Sequence, residues 1–310
     1  MLATTHLSQA RPFLKWAGGK GQLLAQFESF FPADLKNGVI RRYVEPFIGS
    51  GAVFFKIAQT FPALELVISD INPELILVYR TIQVQVEGLI ECLQGLQERY
   101  LGLSEAARKD FYYRLRADYN ARRHQIDYDG YQAAWIERSA QLIFLNRTGY
   151  NGLFRLNSRG AFNVPFGRYK NPRLLDAGNL RAVARLLQNV HIRFGDFEGI
   201  ARFVDRDTLV YFDPPYRPIS ATAHFTAYSR EAFDDAQQLR LAAFYRALDA
   251  RGARLMLSNS DPHNLDPGDD FFERAYSGYR LERVQASRNI NRQASNRGPI
   301  SELLILNYPL

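Results

Sequence analysis

The sequence predicts an α/β fold: buried strands gathered in one sheet, helices on both of its faces, and a mainly helical insertion that carries a β-hairpin. Three observations lead there. Short apolar runs, Tyr43-Val44, Leu66-Val67-Ile68 and Leu209-Val210-Tyr211-Phe212, each stop at or beside a carboxylate and a turn, as strands buried on both faces do. Apolar residues at helical spacing follow the first two of these turns and recur after the third, in residues 236–248. Residues 73–189 are mostly helical in their spacing, and the segment is too long for one crossover helix and reads as an insertion between strands.

At 310 residues and 46% apolar composition the chain can bury a large core, as one domain or as a domain carrying another. No apolar run reaches the roughly eighteen residues of a membrane span, and residues 1–10 lack the basic and apolar regions of a signal peptide. A cytoplasmic protein with no membrane partner is expected. The single cysteine, Cys92, lies in a helical-looking stretch and excludes disulfides and cysteine-rich zinc sites; the five histidines show no metal-ligand spacing, so no metal is expected. A net charge of +7, with basic residues gathered between Arg108 and Lys170, favours an anionic partner.

In chain order, Trp16-Ala17-Gly18-Gly19-Lys20 precedes a helical stretch with Leu23, Leu24, Phe27 and Phe30 on one face and Pro32 as its stop. A phosphate-binding loop would need glycine at 14 and serine or threonine at 21, where Leu14 and Gly21 stand. Tyr43-Val44-Glu45-Pro46-Phe47-Ile48-Gly49-Ser50-Gly51 is a strand entering a glycine turn and a helix, with Phe54 at the third glycine position of a dinucleotide fingerprint. A pyrophosphate cradle is therefore disfavoured, but two glycines still allow a ligand close to the backbone. The second strand ends at Asp70, 19 residues after Gly51, where α/β folds hold ribose hydroxyls. Asn72-Pro73 provides the cap and first position of the next helix.

The insertion shows helices over residues 75–86, 89–101, 111–119 and 133–145, with Ser104 as a cap for the third. It ends in short runs flanking Asn157-Ser158-Arg159-Gly160, a hairpin turn. Arg155, Arg159, Arg168 and Lys170 alternate there with Tyr150, Phe154 and Tyr169, a pattern suited to base edges, phosphates and stacking, or equally to a solvated basic surface. A helix over 180–187, a strand over 191–194 and Asp196-Phe197 at a second candidate ring edge follow. Residues 220–228 are a candidate lid, residues 254–258 a further strand, and residues 271–276 and 302–307 the last strands. A basic polar loop from Arg283 to Arg297 lies between those two.

The chemistry concentrates at Asp213-Pro214-Pro215-Tyr216. Two prolines fix φ and offer no N–H, so the Asp213 and Pro214 carbonyls have no local donor. A carboxylate, a free carbonyl and an aromatic face at a strand's end suit a planar ring bearing an amino group: Asp213 and the Pro214 carbonyl each take one hydrogen, and Tyr216 stacks on the ring.

These segments, in this order, resemble the Dam-type DNA adenine-N6 methyltransferases, the D12 class. The resemblance rests on Phe13-Leu14-Lys15-Trp16-Ala17-Gly18-Gly19-Lys20, Glu45-Pro46-Phe47-Ile48-Gly49-Ser50-Gly51, Asp70-Ile71-Asn72, Asn146-Arg147, Asn151-Gly152-Leu153, Phe162-Asn163-Val164-Pro165-Phe166-Gly167-Arg168-Tyr169 and Asp213-Pro214-Pro215-Tyr216. It implies a Rossmann-like S-adenosylmethionine-dependent methyltransferase sheet, with residues 1–72 and 190–310 as the catalytic domain and residues 73–189 as a target-recognition domain. It implies S-adenosylmethionine as cofactor, with Trp16, Lys20, Glu45, Phe47, Gly49 and Gly51 around its methionine end, Asp70 on the ribose, Asp196 and Phe197 at the adenine, and Asp213 between cofactor and target. The partner is double-stranded DNA, from which the target adenine is flipped out.

Lys15, Leu153, Arg155 and Pro165 would read bases, Tyr150 would fill the gap left by the flipped base, Ser220 would lie near the unpaired thymine, and Asn151, Arg159 and Arg168 complete the DNA contacts. The implied site is 5′-GATC-3′. A cognate restriction endonuclease is an optional partner, and no obligate protein partner is implied. Three alternatives stay open: a cytosine-N4 methyltransferase, a methyltransferase acting on RNA or protein, and a DNA-binding protein that keeps the fold without activity.

Overall fold

The computed structural model describes residues 9–16, 18–217, 233–287 and 299–310. The chain begins with helices α1 (Leu24–Phe30) and α2 (Ala33–Lys36), then β1 (Arg42–Glu45), α3 (Ala52–Thr60) and β2 (Glu65–Asp70). Helices α4 (Pro73–Leu101), α5 (Glu105–Ala121), α6 (Ala134–Thr148) and α7 (Ala177–Leu187) separate β2 from β3 (Val190–Phe194). Then come β4 (Thr208–Phe212), α8 (Asp235–Asp249), β5 (Arg254–Ser260), α9 (Phe271–Ala275), β6 (Arg280–Ser287) and β7 (Pro299–Leu306).

The sheet runs β3-β2-β1-β4-β5-β7-β6, parallel from β3 to β5, with β7 antiparallel to both neighbours. This is the α/β, Rossmann-like architecture expected from the sequence. Strand order reverses between β1 and β4, and a crevice opens beyond the carboxyl ends of strands at such a switch point. Glu45 ends β1 and Asp213 follows β4 directly.

Strand alternation divides the core. Tyr43, Ile68, Tyr211, Met256, Leu304 and Leu306 join one cluster with α1, α3, α4, α6 and α7. Val44, Val67, Val210, Phe212, Leu257 and Ile305 join the other with α8 and α9. Each fully buried side chain of this size contributes about 1.5–3 kcal/mol by leaving water. The first cluster runs from α1 and α3 into Leu89, Leu93, Phe144 and Phe162, so the segment between β2 and β3 shares a core with one face of the sheet.

The expected caps are present. Asn72 accepts from the Glu74 and Leu75 amides with Pro73 in first position, and Ser104 accepts from the Ala107 amide. The two helices expected over 75–86 and 89–101 form α4, interrupted by non-helical dihedrals at Gln85. One element differs in kind. Residues 271–276, expected as a strand, form α9, because Phe272 and Tyr276, one helical turn apart, are both fully buried and stack at 6.4 Å. The strand lies further on, in β6, whose charged edge sequence looked like loop. Arg283 is accordingly a strand residue, held by Asp261 at 2.9 Å and Glu273 at 2.8 Å. The remainder of the expected basic loop, residues 288–298, and the candidate lid, residues 220–228, lie outside the described residues.

Candidate active site

Strand β4 is buried throughout, and its run into Asp213 ends because Pro214 and Pro215 cannot donate to a ladder. The turn is held from several elements. Gln238 of α8, fully buried, donates its Nε2 to the Pro215 carbonyl at 3.0 Å. Asn259 of β5 accepts the Arg217 amide at 3.4 Å. No hydrogen bond reaches the Pro214 carbonyl among the described residues, as its place between two prolines predicts.

Asp213 is oriented through one oxygen. Lys20 Nζ lies 2.7 Å from Oδ1, and Ser258 Oγ of β5 donates to the same atom at 3.1 Å. Tyr211 OH lies 2.8 Å from Ser258 Oγ, so that hydroxyl is fixed in turn. Oδ2 receives no hydrogen bond among the described residues. Lys20 is nearly inaccessible, donates also to the Gly18 carbonyl at 2.7 Å, and sits 4.7 Å from the Tyr216 ring centroid. Tyr216 OH donates to Glu302 of β7.

One ammonium therefore serves several carboxyls. Burial raises the Asp213 pKa, opposed by the Lys20 charge and the bonds from Lys20 and Ser258. Burial pushes Glu45 well above the usual carboxylate range, opposed by the Tyr43 hydroxyl and the Lys20 charge. Glu302 is raised by burial and lowered by Lys20 and Tyr216.

A cavity of about 270 Å³ runs from this cluster to the end of β2. Its floor is the Glu45–Gly51 turn. Gly51 has φ +74°, and a Cβ there would lie 2.7 Å from Tyr79 Oη; Gly49 has φ +47°, and a Cβ would lie 3.0 Å from Trp16 Cδ1. Only glycine meets both demands. Asp70 accepts the Gly49 amide at 3.1 Å and the Asn72 amide at 2.9 Å, tying the turn to the start of α4. Burial raises its pKa to about 6 against those bonds.

At the far wall Phe47 packs against Phe197 (centroids 5.6 Å apart) and Phe233 (5.8 Å). Asp196 is engaged through both oxygens by Arg240, whose guanidinium lies 4.4 Å from the Phe197 ring centroid. Trp16 lines the cavity and stacks on Phe154 at 5.5 Å. All ten residues the sequence reading assigned to the cofactor line this one cavity, with Pro214, Pro215 and Tyr216.

The expected DNA contacts lie beside it, on the segment after α6. Lys15 is pinned by buried Asn146, which accepts its amide at 2.9 Å and donates to its carbonyl at 2.8 Å. Its ammonium lies 4.7 Å from the Tyr169 ring centroid. Tyr150 is 53% exposed, and Asn151, beside it, takes φ +53°. Leu153 is half-buried against the core, Pro165 is exposed and its carbonyl accepts the Tyr150 amide, and Arg159 and Arg168 are exposed. Arg155 is not loose: its Nε donates to Asn163 Oδ1 at 2.7 Å across the turn. Ser220 lies outside the described residues.

The hairpin is irregular, with isolated bridges Leu156 to Phe162 and Gly149 to Phe166 rather than a ladder. Side chains of α5 replace the missing backbone bonds. Tyr112 and Arg116 donate to the Val164 carbonyl, and Asn120 bonds both the amide and the carbonyl of Phe162.

A family model for D12 class N6 adenine-specific DNA methyltransferases matches residues 16–290. The chain belongs to this family. Similar proteins include a type II methyltransferase of Methanocaldococcus jannaschii, 48% identical over 97% of this chain and all of the relative. DNA adenine methylases of Haemophilus influenzae and Escherichia coli are 34% and 33% identical, over 96% and 98% of this chain and 93% and 97% of their own lengths. Within the family fold, the residues that hold the Asp213 turn from a distance, Gln238, Ser258 and Glu302, escaped the sequence reading, as did Phe233 and Arg240 in the cavity wall. They come from α8 and the residue Phe233 just before it, from β5 and from β7, with no local motif to mark them. Among the described residues no cluster has metal-ligand composition, and no helix is long and apolar enough to cross a membrane.

Proposed function

We propose that the protein transfers a methyl group from S-adenosylmethionine to N6 of an adenine flipped out of double-stranded DNA, at 5′-GATC-3′. The observation that carries the reading is the division of the Asp213 carboxylate. Lys20 and Ser258 take Oδ1, so Oδ2 and the neighbouring Pro214 carbonyl are two acceptors at the end of one strand. An exocyclic amino group has two hydrogens to give, and donating both leaves its lone pair directed away from the acceptors. Tyr216, anchored by Glu302, supplies a face for the base.

The cavity fits the cofactor. The turn at Gly49 and Gly51, left-handed and closed to a Cβ by Trp16 and Tyr79, lines the cavity with backbone, Asp70 retains acceptor capacity for hydroxyls, and Phe47, Phe197 and Phe233 form an aromatic wall for a purine. S-adenosylmethionine, when bound, supplies a methyl group made electrophilic by its sulfonium. This chain's residues orient the amino group and exclude water, and they do so without a covalent step, since Cys92 is remote from the cavity. Residues 73–189 are inferred to read the DNA, with Lys15 contributed from the N-terminal segment. Lys15, Arg155 and Pro165 would face bases and Tyr150 the vacated stack.

The test is methyl transfer from labelled S-adenosylmethionine to two duplexes differing only as GATC and GTTC, followed by nucleoside analysis. N6-methyladenine in the first alone is the expected result. Label in both keeps the chemistry and discards the site, and N4-methylcytosine discards the target base.

A further inference from the structure

Tyr216 follows two prolines, and residues 213–217 form neither helix nor strand, so no regular secondary structure at those residues sets the angle of its ring. What holds it comes from elsewhere. Lys20 Nζ lies against one face, and the phenol donates to Glu302 Oε2 at 2.5 Å. Glu302 is on β7, opposite Ser260 of β5 in the antiparallel register. It therefore reaches past the end of β5, the strand that separates it from β4, to meet the far end of the tyrosine. Its neighbours Leu303 and Leu304 are fully buried, so the carboxyl group stands on a rigid strand inside the sheet. A carboxylate at this half-buried place costs desolvation, which the nearby Lys20 charge offsets. Packing alone would be served as well by methionine or leucine.

We propose that Glu302 is a positioning residue: through its hydrogen bond to the Tyr216 hydroxyl it fixes the angle at which the tyrosine ring meets the target base. The inference rests on the reading of Tyr216 as the stacking platform. A ring fixed at its hydroxyl has little freedom at its far end, whereas one held only by its Cβ pivots, and a misplaced base meets Asp213 Oδ2 and the Pro214 carbonyl less often.

The experiment uses the full chain, a GATC duplex and labelled S-adenosylmethionine, with cofactor titration as the measure of folding. Glu302→Met, which removes the acceptor, should lower kcat about tenfold with KM for S-adenosylmethionine changed by less than about twofold. Glu302→Gln keeps an acceptor oxygen and should stay within about threefold of the parent. Tyr216→Phe should match Glu302→Met, and the double variant should lose nothing further, since both changes delete one bond. A duplex with 2-aminopurine at the target should fluoresce more brightly with Glu302→Met than with the parent, because the base is stacked less closely. Parent-like kcat in Glu302→Met, or losses that multiply in the double variant, would overturn the proposal; if Glu302→Met does not fold, parent-like kcat in Tyr216→Phe overturns it. Tyr216→Ala separates the two levels. If it methylates at the parental rate, the stacking reading itself fails. If it is crippled while Glu302→Met and Tyr216→Phe are not, only the role of Glu302 is lost.

Discussion

Replacing Lys20 with methionine removes the single ammonium around which Asp213, Glu45 and Glu302 are arranged, and the cost should depend on pH in a definite direction. The Lys20 to Asp213 separation is 2.7 Å. At an effective dielectric constant near 20 this corresponds to about 6 kcal/mol of gross attraction. The net loss is smaller, because methionine fills the space of the lysine stem, the ammonium no longer needs desolvation, and the Asp213 side chain is 21% exposed. The low end of the range for breaking a buried pair, about 3 kcal/mol, is the expected destabilisation at pH 8.

The three carboxyls already have folded-state pKa values raised by burial, with Lys20 holding each down. A carboxyl whose folded pKa lies above its unfolded value costs nothing while it is protonated in both states, and stability falls as pH rises toward the folded pKa. Without Lys20 those folded values move higher, so the loss extends over a wider range of pH. The difference between variant and parent should therefore be about 3 kcal/mol at pH 8 and about 1 kcal/mol or less at pH 5. Urea unfolding at both pH values measures it. A deficit of equal size at pH 5 and pH 8 would refute the charge argument and leave lost packing as the cause.

Other consequences are testable in the same preparations. Gly51→Ala meets both a left-handed φ of +74° and the Tyr79 hydroxyl; it should cost about 1–3 kcal/mol, and adding Tyr79→Phe should restore the part due to collision but not that due to φ, as thermal unfolding would show. Asp70 has a pKa raised to about 6 by burial, so its ionised acceptor is lost below that pH; S-adenosylmethionine affinity by titration should weaken as pH falls through 6, and Asp70→Asn should be weak throughout and lack this dependence. Arg155→Ala should relax discrimination at one base pair more than it lowers total affinity, by about 1–3 kcal/mol. Equal loss across all sequences would make Arg155 a phosphate contact instead.

The sequence showed the parts of this fold whose chemistry is local. Buried strands ending at Glu45, Asp70 and Asp213 were visible because four or so apolar residues followed by proline, glycine or asparagine have few other readings. The caps at Asn72 and Ser104 were visible for the same reason. Failure came where local pattern and tertiary context disagree. Phe271-Phe272 looked like strand because two aromatics favour sheets, yet Phe272 and Tyr276 share a helical face. Strand β6 was hidden because an edge strand rich in Arg and Glu resembles loop, and such charges are what guard an edge. In the site, the glycine turn and the Asp213 turn were legible as motifs. The atoms that decide which Asp213 oxygen is free belong to Lys20 and Ser258, 193 and 45 residues away along the chain.

That separation has a physical origin in the topology. A carboxylate placed just beyond β4 has the ends of β1 and β5 on either side of it, so the residues able to reach it are the last of those strands and whatever packs above them. Glu45 comes from β1, Ser258 from β5, Glu302 from β7 one strand further, and Lys20 from the segment before α1. The segment between β2 and β3 is joined to the same place by a different route. Asp70 holds Asn72, Asn72 caps α4, and Glu74 in the first turn of α4 pairs with buried Arg138 of α6. Helix α6 then continues to Asn146, which clamps Lys15, the residue directly before Trp16 and five before Lys20. The cavity and the basic hairpin are thus connected through both ends of the inserted helices.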